Sequence, residues 1–312
     1  MTDPSRTLQQ ILAALTDGRA RDATDWTGAP AYVWSGEGVR PVAAIEAPRL
    51  VLLKGIDQQK EAARENIARL AAGHAAHDML LWGARGMGKS ALVRAAVAAA
   101  QDPDASQIAL VQIGTDALDC LPQVFAELAP VRRNFLVFID DLGFAEGDTH
   151  GPRHLRSWLE GGVEARPGNV RLAVTSNRRA IVTREASEQD DPLNPRDTVD
   201  DRLALADRFG LALGFHACSQ EDYLAIVSAY AHEHGLAWDQ AEALEWAKRR
   251  GARSGRIAWH FVTELAGRAG KRVSALNSLR TRAADRRRAP GAGAGEHRHC
   301  AAALPPGWRP ER

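Results

Sequence analysis

Residues 78–91 read Asp78-Met79-Leu80-Leu81-Trp82-Gly83-Ala84-Arg85-Gly86-Met87-Gly88-Lys89-Ser90-Ala91, and the fold follows from them. Met79, Leu80, Leu81 and Trp82 form a short apolar run that predicts a buried strand ending at Gly83. From there Gly83-x-x-x-x-Gly88-Lys89-Ser90 fills every position of the Walker A pattern. The residues that follow are good helix formers. Strand, glycine loop and helix are together the context the motif needs. Glycines 83, 86 and 88 let the backbone curl so that successive amides point inward, as a nest for phosphate oxygens. The next helix turns its positive end to the same anion. Gly83, Ala84, Arg85, Gly86, Met87, Gly88, Lys89, Ser90 and Ala91 are therefore the expected phosphate cradle. Lys89 would reach the β- and γ-phosphates of ATP, and the Ser90 hydroxyl would ligate Mg²⁺.

The totals set bounds. A chain of 312 residues has room for one large domain or two smaller ones, and a net charge of +1 gives no sign of bulk polyanion binding. No apolar run reaches the ~18 residues of a membrane span. The N-terminus does not read as a signal peptide. Cys120, Cys218 and Cys300 are odd in number and widely spaced, so a reducing cytoplasm is the default.

Moving outward, the third apolar run carries the second chemical centre. Phe135, Leu136, Val137, Phe138 and Ile139 predict a strand buried on both faces, and it runs straight into Asp140-Asp141. Parallel sheets place ligands at that end. Asp140 would hold Mg²⁺ through water, and Asp141 would orient or activate the attacking water. Residues 170–177 predict a further strand tipped by Asn177. That amide either meets the attacking water or caps a turn. Runs at 108–113 and 211–215 complete five strands, alternating with a helix capped by Asp57 and stopped at Gly73, a second over 91–97 and a third whose apolar face spans 118–128. This alternation predicts a parallel sheet covered on both faces.

The flanks differ. Residues 1–50 are expected to form an N-terminal arm, with a short helix over 8–15. Trp26, Tyr32 and Trp34 sit among glycines and prolines, as short strands or an ordered arm packed on the body. Residues 51–217 are the expected nucleotide-binding α/β domain, with a candidate helix over 150–161 and a long acidic loop over 184–201. Residues 218–280 are expected to be a small helical lid. Ser219 with Asp222 and Asp239 with Glu242 have capping spacing, and Ser254 caps a third helix. The Tyr and Trp residues of this segment are expected as core. Residues 281–312 are Arg-, Ala-, Gly- and Pro-rich, an expected disordered basic tail. His297, His299 and Cys300 lack enough ligands for a closed metal site.

This order of features resembles the AAA+ ATPase module. More narrowly, it is similar to a bacterial ATP-binding family known as domain of unknown function 815. The resemblance is carried by residues 55–60, 80–86, 140–142, 175–179, 207–211 and 253–256. It implies that Asn177 is the sensor-1 residue and that Arg208 is an arginine finger reaching a neighbouring subunit. It also implies that Arg256 is sensor 2 and that Ile56 lies against the adenine. Arg202 competes for the finger role, and the alternative for Arg208 is pairing with a carboxylate on its own chain. The family implies a P-loop fold of five parallel strands with helices on both faces and a helical lid. It further implies a homo-oligomeric, Mg²⁺-dependent ATPase that remodels an unknown protein or DNA partner. The alternatives are an ATP-gated switch with negligible hydrolysis, motivated by Asp141 where Glu is usual, and a small-molecule P-loop kinase.

Overall fold

The computed structural model describes residues 24–35, 38–101, 107–143, 159, 166–177 and 208–273. All of these belong to one unit. The expected helices over 8–15 and 150–161, the acidic loop, Arg202 and the basic tail lie outside the described residues.

Among the described residues, seven strands form one sheet in the order β2-β1-β4-β5-β6-β3-β7. They are β1 (Ala31–Ser35), β2 (Gly38–Val42), β3 (Met79–Gly83), β4 (Ile108–Ile113), β5 (Asn134–Ile139), β6 (Val170–Ser176) and β7 (Leu211–Phe215). Every neighbouring pair is parallel except β1–β2. The sequence predicts five strands; β1 and β2 are the two it leaves open as strand or arm. The four apolar residues Ala31, Tyr32, Val33 and Trp34 give β1 too short a run to declare its partner. That partner is β4, far along the chain.

Alternation along each strand serves two cores. Met79 and Leu81 face one side, with Leu92 and Val93 of α2 (Lys89–Ala100) and Ala63 and Ile67 of α1 (Asp57–Ala71). Leu80 faces the other, with Leu121, Val124 and Leu128 of α3 (Leu121–Leu128). Trp26, Tyr32 and Trp34 fill the end of this second core. Trp26 lies 4.8 Å from the Tyr32 ring and edge-on to Phe135 at 6.0 Å. Ile56, not Asp57, occupies the cap of α1; the Asp57 carboxylate instead accepts from Lys60 Nζ at 2.5 Å.

After β7 come three helices: α4 (Gln220–Glu233), α5 (Gln240–Arg249) and α6 (Gly255–Arg268). Ser219 and Asp222 form a reciprocal capping box on α4. Asp239 accepts from Glu242 N at 2.8 Å, and Ser254 Oγ accepts from Ile257 N at 3.3 Å. Ala258, Phe261, Val262 and Leu265 of α6 are buried, as their helical spacing predicts. On α5 the buried positions are Ala243 and Ala247, while Leu244 and Trp246 are only partly covered.

Candidate functional site

The strand order fixes the site. The chain leaves β3, crosses to β4, and returns through β5 and β6 to lie beside β3 again. β6 thus separates the loop strand from the Asp140 strand, and all their carboxyl ends open on one side. This reversal of winding is where open α/β sheets bind ligands.

Gly83 ends β3 at φ 123°, and a Cβ there would stand 2.1 Å from the Phe215 carbonyl oxygen. Only glycine fits that approach, and it lets Ala84 N donate to Phe215 O at 2.8 Å. Gly86 and Gly88 have φ of 74° and 89°, and Gly88 starts α2. Lys89 is buried. Its Nζ donates to Gly83 O at 2.8 Å, Ala84 O at 2.9 Å and Asn177 Oδ1 at 3.2 Å. The loop therefore holds its own lysine across its mouth. Burial pushes the Lys89 ammonium below lysine's ordinary value. Asp141 and Asp140 oppose this, while Arg85 and Arg256 add to it.

The two carboxylates and their partners form one polar chain. Asp140 Oδ1 accepts from Ser90 Oγ at 2.5 Å and from Thr175 Oγ1 at 2.6 Å. Thr175 Oγ1 in turn accepts from Asp141 N at 2.8 Å. Asn177 Nδ2 donates to Asp141 Oδ1, so the Asn177 amide bridges Lys89 to Asp141. Asp141 is the non-glycine residue with a left-handed backbone, φ 55°, among those described. Two oxygen donors brought together by Ser90 and Asp140 suit Mg²⁺, which takes few protein ligands and completes its shell with water and phosphate.

These groups open into a cleft of ≈ 550 Å³ between the sheet and two of the C-terminal helices, α4 and α6. Its apolar end includes Leu52, Leu53, Ile56, Ile226, Tyr230 and Trp259. Tyr230 and Trp259 meet edge-on at 5.2 Å, and burial raises the Tyr230 hydroxyl's pKa. The helical segment touches the loop directly, because Arg256 N donates to Gly86 O at 3.3 Å. The structure thus brings together the nine loop residues, Asp140, Asp141, Asn177, Arg256 and Ile56. Arg208 is not among the cleft residues. It precedes β7 at the strand's other end, where Leu211 pairs with Met79, whereas Phe215 pairs with Gly83.

Sequence reasoning missed Thr175, Arg94, Tyr230 and Trp259. Thr175 had a signal: it lies two residues before Asn177 on the same strand face. The two aromatics are expected as core, yet both line the cleft as well as packing on each other.

Sheet order, glycine loop and paired carboxylates define a P-loop nucleotide-binding fold of the AAA+ class. The chain belongs to the family described as Protein of unknown function (DUF815), which matches residues 27–269. Comparison with curated protein sequences finds no match. Among solved structures, the chain is similar to a point variant of Thermotoga maritima RuvB, with 18% identity and a TM-score of 0.49, covering 74% of this chain and 70% of that one. It is also similar to the Aeropyrum pernix ORC1 protein in complex with DNA, at 14% identity and TM-score 0.49, covering 77% and 69%. The FIGL-1 AAA domain in complex with ADP overlaps at 18% identity and TM-score 0.46, covering 72% and 75%. All three overlaps fall short of 0.5, so the strand order and the loop define the class. Among the described residues, no helix is long and apolar enough to cross a membrane.

Proposed function

We propose that this chain is a Mg²⁺-dependent ATPase that works as a homo-oligomer and couples hydrolysis to remodelling a protein or nucleic-acid partner. The observation that carries this reading is charge. Among the described residues, Lys54, Arg85, Lys89, Arg94 and Arg256 line the cleft against only Asp140 and Asp141. Both carboxylates already accept hydrogen bonds within the site. Such an excess of cations beside an apolar slot suits a base-linked polyanion, and the loop suits its terminal phosphates.

In this reading ATP is the substrate, its adenine against Ile56 and Tyr230 and its phosphates within residues 83–91. Ser90 and Asp140 hold Mg²⁺, which supplies charge neutralisation on the terminal phosphates. Asp141 orients the attacking water and accepts its proton, while Asn177 positions that carboxylate against Lys89. Arg256 senses the nucleotide from the helical lid, residues 218–280, through its seat on Gly86. Arg208 serves a neighbour's site as the finger. Its place outside its own chain's cleft supports that role. The free thiols Cys120 and Cys218 suit a cytoplasmic setting.

The test is phosphate release against protein concentration, for wild type and Lys89→Ala. Specific activity that climbs with concentration and vanishes in the variant is the expected result. A second reading is an ATP-gated switch that docks on DNA or protein. Asp141 favours it, being one methylene shorter than Glu and tied to Asn177. Flat, near-zero release despite tight Lys89-dependent ATP binding would establish the switch instead. Phosphate transfer to a metabolite would displace both.

A further inference from the structure

Arg94 sits on α2 four residues after Ser90 and therefore on the same helix face. It lines the cleft, yet nothing in the phosphate-loop pattern calls for it. Its Nε–H is shut off from solvent and meets no acceptor. Lys89, by contrast, is satisfied by two loop carbonyls and Asn177. An unmet Nε–H is costly, and Arg94 as a whole is only partly buried on the cleft wall, so its guanidinium is open to a partner that arrives through the cleft.

Position says which partner. Side chains on a helix lean toward its N-terminus, so Arg94 covers the turn of Ser90 and Ala91. It lies about 6 Å along the axis from Ser90. The loop amides and Lys89 take the far end of a phosphate chain. The 3₁₀ turn Leu50–Leu52 packs on α2 and, with Ile56 and Tyr230, forms the apolar end of the cleft. A cation between those two ends faces the phosphate nearest the ribose. We infer that Arg94 is a nucleotide-binding residue whose guanidinium donates to the α-phosphate of the bound nucleotide.

This rests on the nucleotide reading of the site but adds a consequence that reading lacks. The α-phosphate is common to ATP and ADP, so Arg94 holds substrate and product alike. Arg256 seats on the loop itself and is placed to tell one from the other. Arg94 would therefore set how long the product stays, not which nucleotide state is sensed.

The experiment uses the full-length chain as wild type, Arg94→Met, Arg256→Ala and Lys89→Ala. Methionine keeps most of the apolar stem of Arg94 and removes the donors. Affinities for ATP and ADP are measured by calorimetry, and thermal unfolding is followed with and without ADP. Arg94→Met is expected to weaken ATP and ADP by the same factor, roughly 10- to 100-fold, the range of a hydrogen bond to a charged group. Without nucleotide it should melt at or above the wild-type temperature, because an unmet buried donor has gone, while the ADP-induced shift shrinks. Arg256→Ala should instead change the ratio of the two affinities. Unchanged ADP affinity in Arg94→Met overturns the inference. So does a loss confined to ATP, which would place Arg94 on the terminal phosphates. A lowered melting temperature without nucleotide would make Arg94 a structural residue and overturn it equally. Failure of wild type to bind either nucleotide in a Lys89-dependent way would remove the nucleotide reading itself, and this inference with it.

Discussion

Asp141 bears backbone strain at the point where chemistry is expected. A left-handed conformation costs an ordinary residue about 1–2 kcal/mol, and Asp and Asn tolerate it best. Here it is over-determined: Asp141 N donates to Thr175 Oγ1, Leu142 N donates to Thr175 O at 2.7 Å, and Asn177 holds the carboxylate. Strain fixed so tightly aims one side chain. Asp141→Asn keeps the left-handed tolerance and the size but removes the base. The variant should therefore fold and bind ATP as wild type does while phosphate release falls by about 100-fold or more. Steady-state release beside ATP affinity measures both; equal loss of binding would make Asp141 a ligand of the nucleotide instead. Lys89 gives a pH signature. Its lowered pKa is mainly the effect of burial, and bound phosphates would raise it again. Above the free-state pKa, binding must take up a proton, so ATP affinity should fall as pH rises, beginning earlier than for an exposed lysine. Calorimetry in buffers of different ionisation enthalpy reads the proton directly, and zero uptake at every pH below lysine's ordinary pKa would contradict it.

At the scale of elements, the sheet's N-terminal extension hangs on Arg133. This buried side chain precedes β5. Nη1 donates to Trp26 O at 2.9 Å, Thr27 O at 3.3 Å and Ala29 O at 2.8 Å, and Nη2 to Ile108 O at 3.0 Å. One guanidinium thus ties the entry to β1 onto β4. Arg133→Met should cost roughly 2–5 kcal/mol, because the buried carbonyls of Trp26 and Ala29 lose this donor and Ile108 O is left with Gln101 Nε2 alone. Urea unfolding measures that cost, and proteolysis should open residues 24–42 before the loop region. Equal protection along the chain would mean that aromatic packing of Trp26 and Tyr32 suffices alone. Such contacts mark what the sequence could and could not reveal. The loop, Asp140-Asp141 and the caps at Ser219, Asp239 and Ser254 are legible because their chemistry needs neighbours within a few residues. Arg133 and Thr175 are not, because their acceptors come from distant segments that only the fold brings near, and Arg94 is not, because only the fold places it on the cleft wall. Tyr230 and Trp259 escape a sequence reading for a related reason. An apolar helix face reads the same whether it lines a core or the wall of a cleft.

At the scale of the molecule, the proposed finger role of Arg208 requires a second copy of the chain. Arg208 stands before β7, and the loop stands beyond the strand's other end, so one chain cannot bring the two together without refolding β7. A head-to-tail arrangement of identical chains solves this, since each copy offers Lys89 on one face and Arg208 on another. Complementation tests it without any knowledge of the partner. Lys89→Ala and Arg208→Ala should each be inactive alone, the second still binding ATP. Mixed in equal amounts, they create interfaces where an Arg208→Ala subunit supplies Lys89 and a Lys89→Ala neighbour supplies Arg208. Random assembly gives that pairing at about a quarter of interfaces, so up to about a quarter of the wild-type rate should return. The rescue must grow with total protein concentration, because it depends on association. If Arg208→Ala is fully active alone, the finger lies elsewhere. If both are inactive and mixing restores nothing, lysine and arginine act within one chain, and the case for a site shared between subunits is gone.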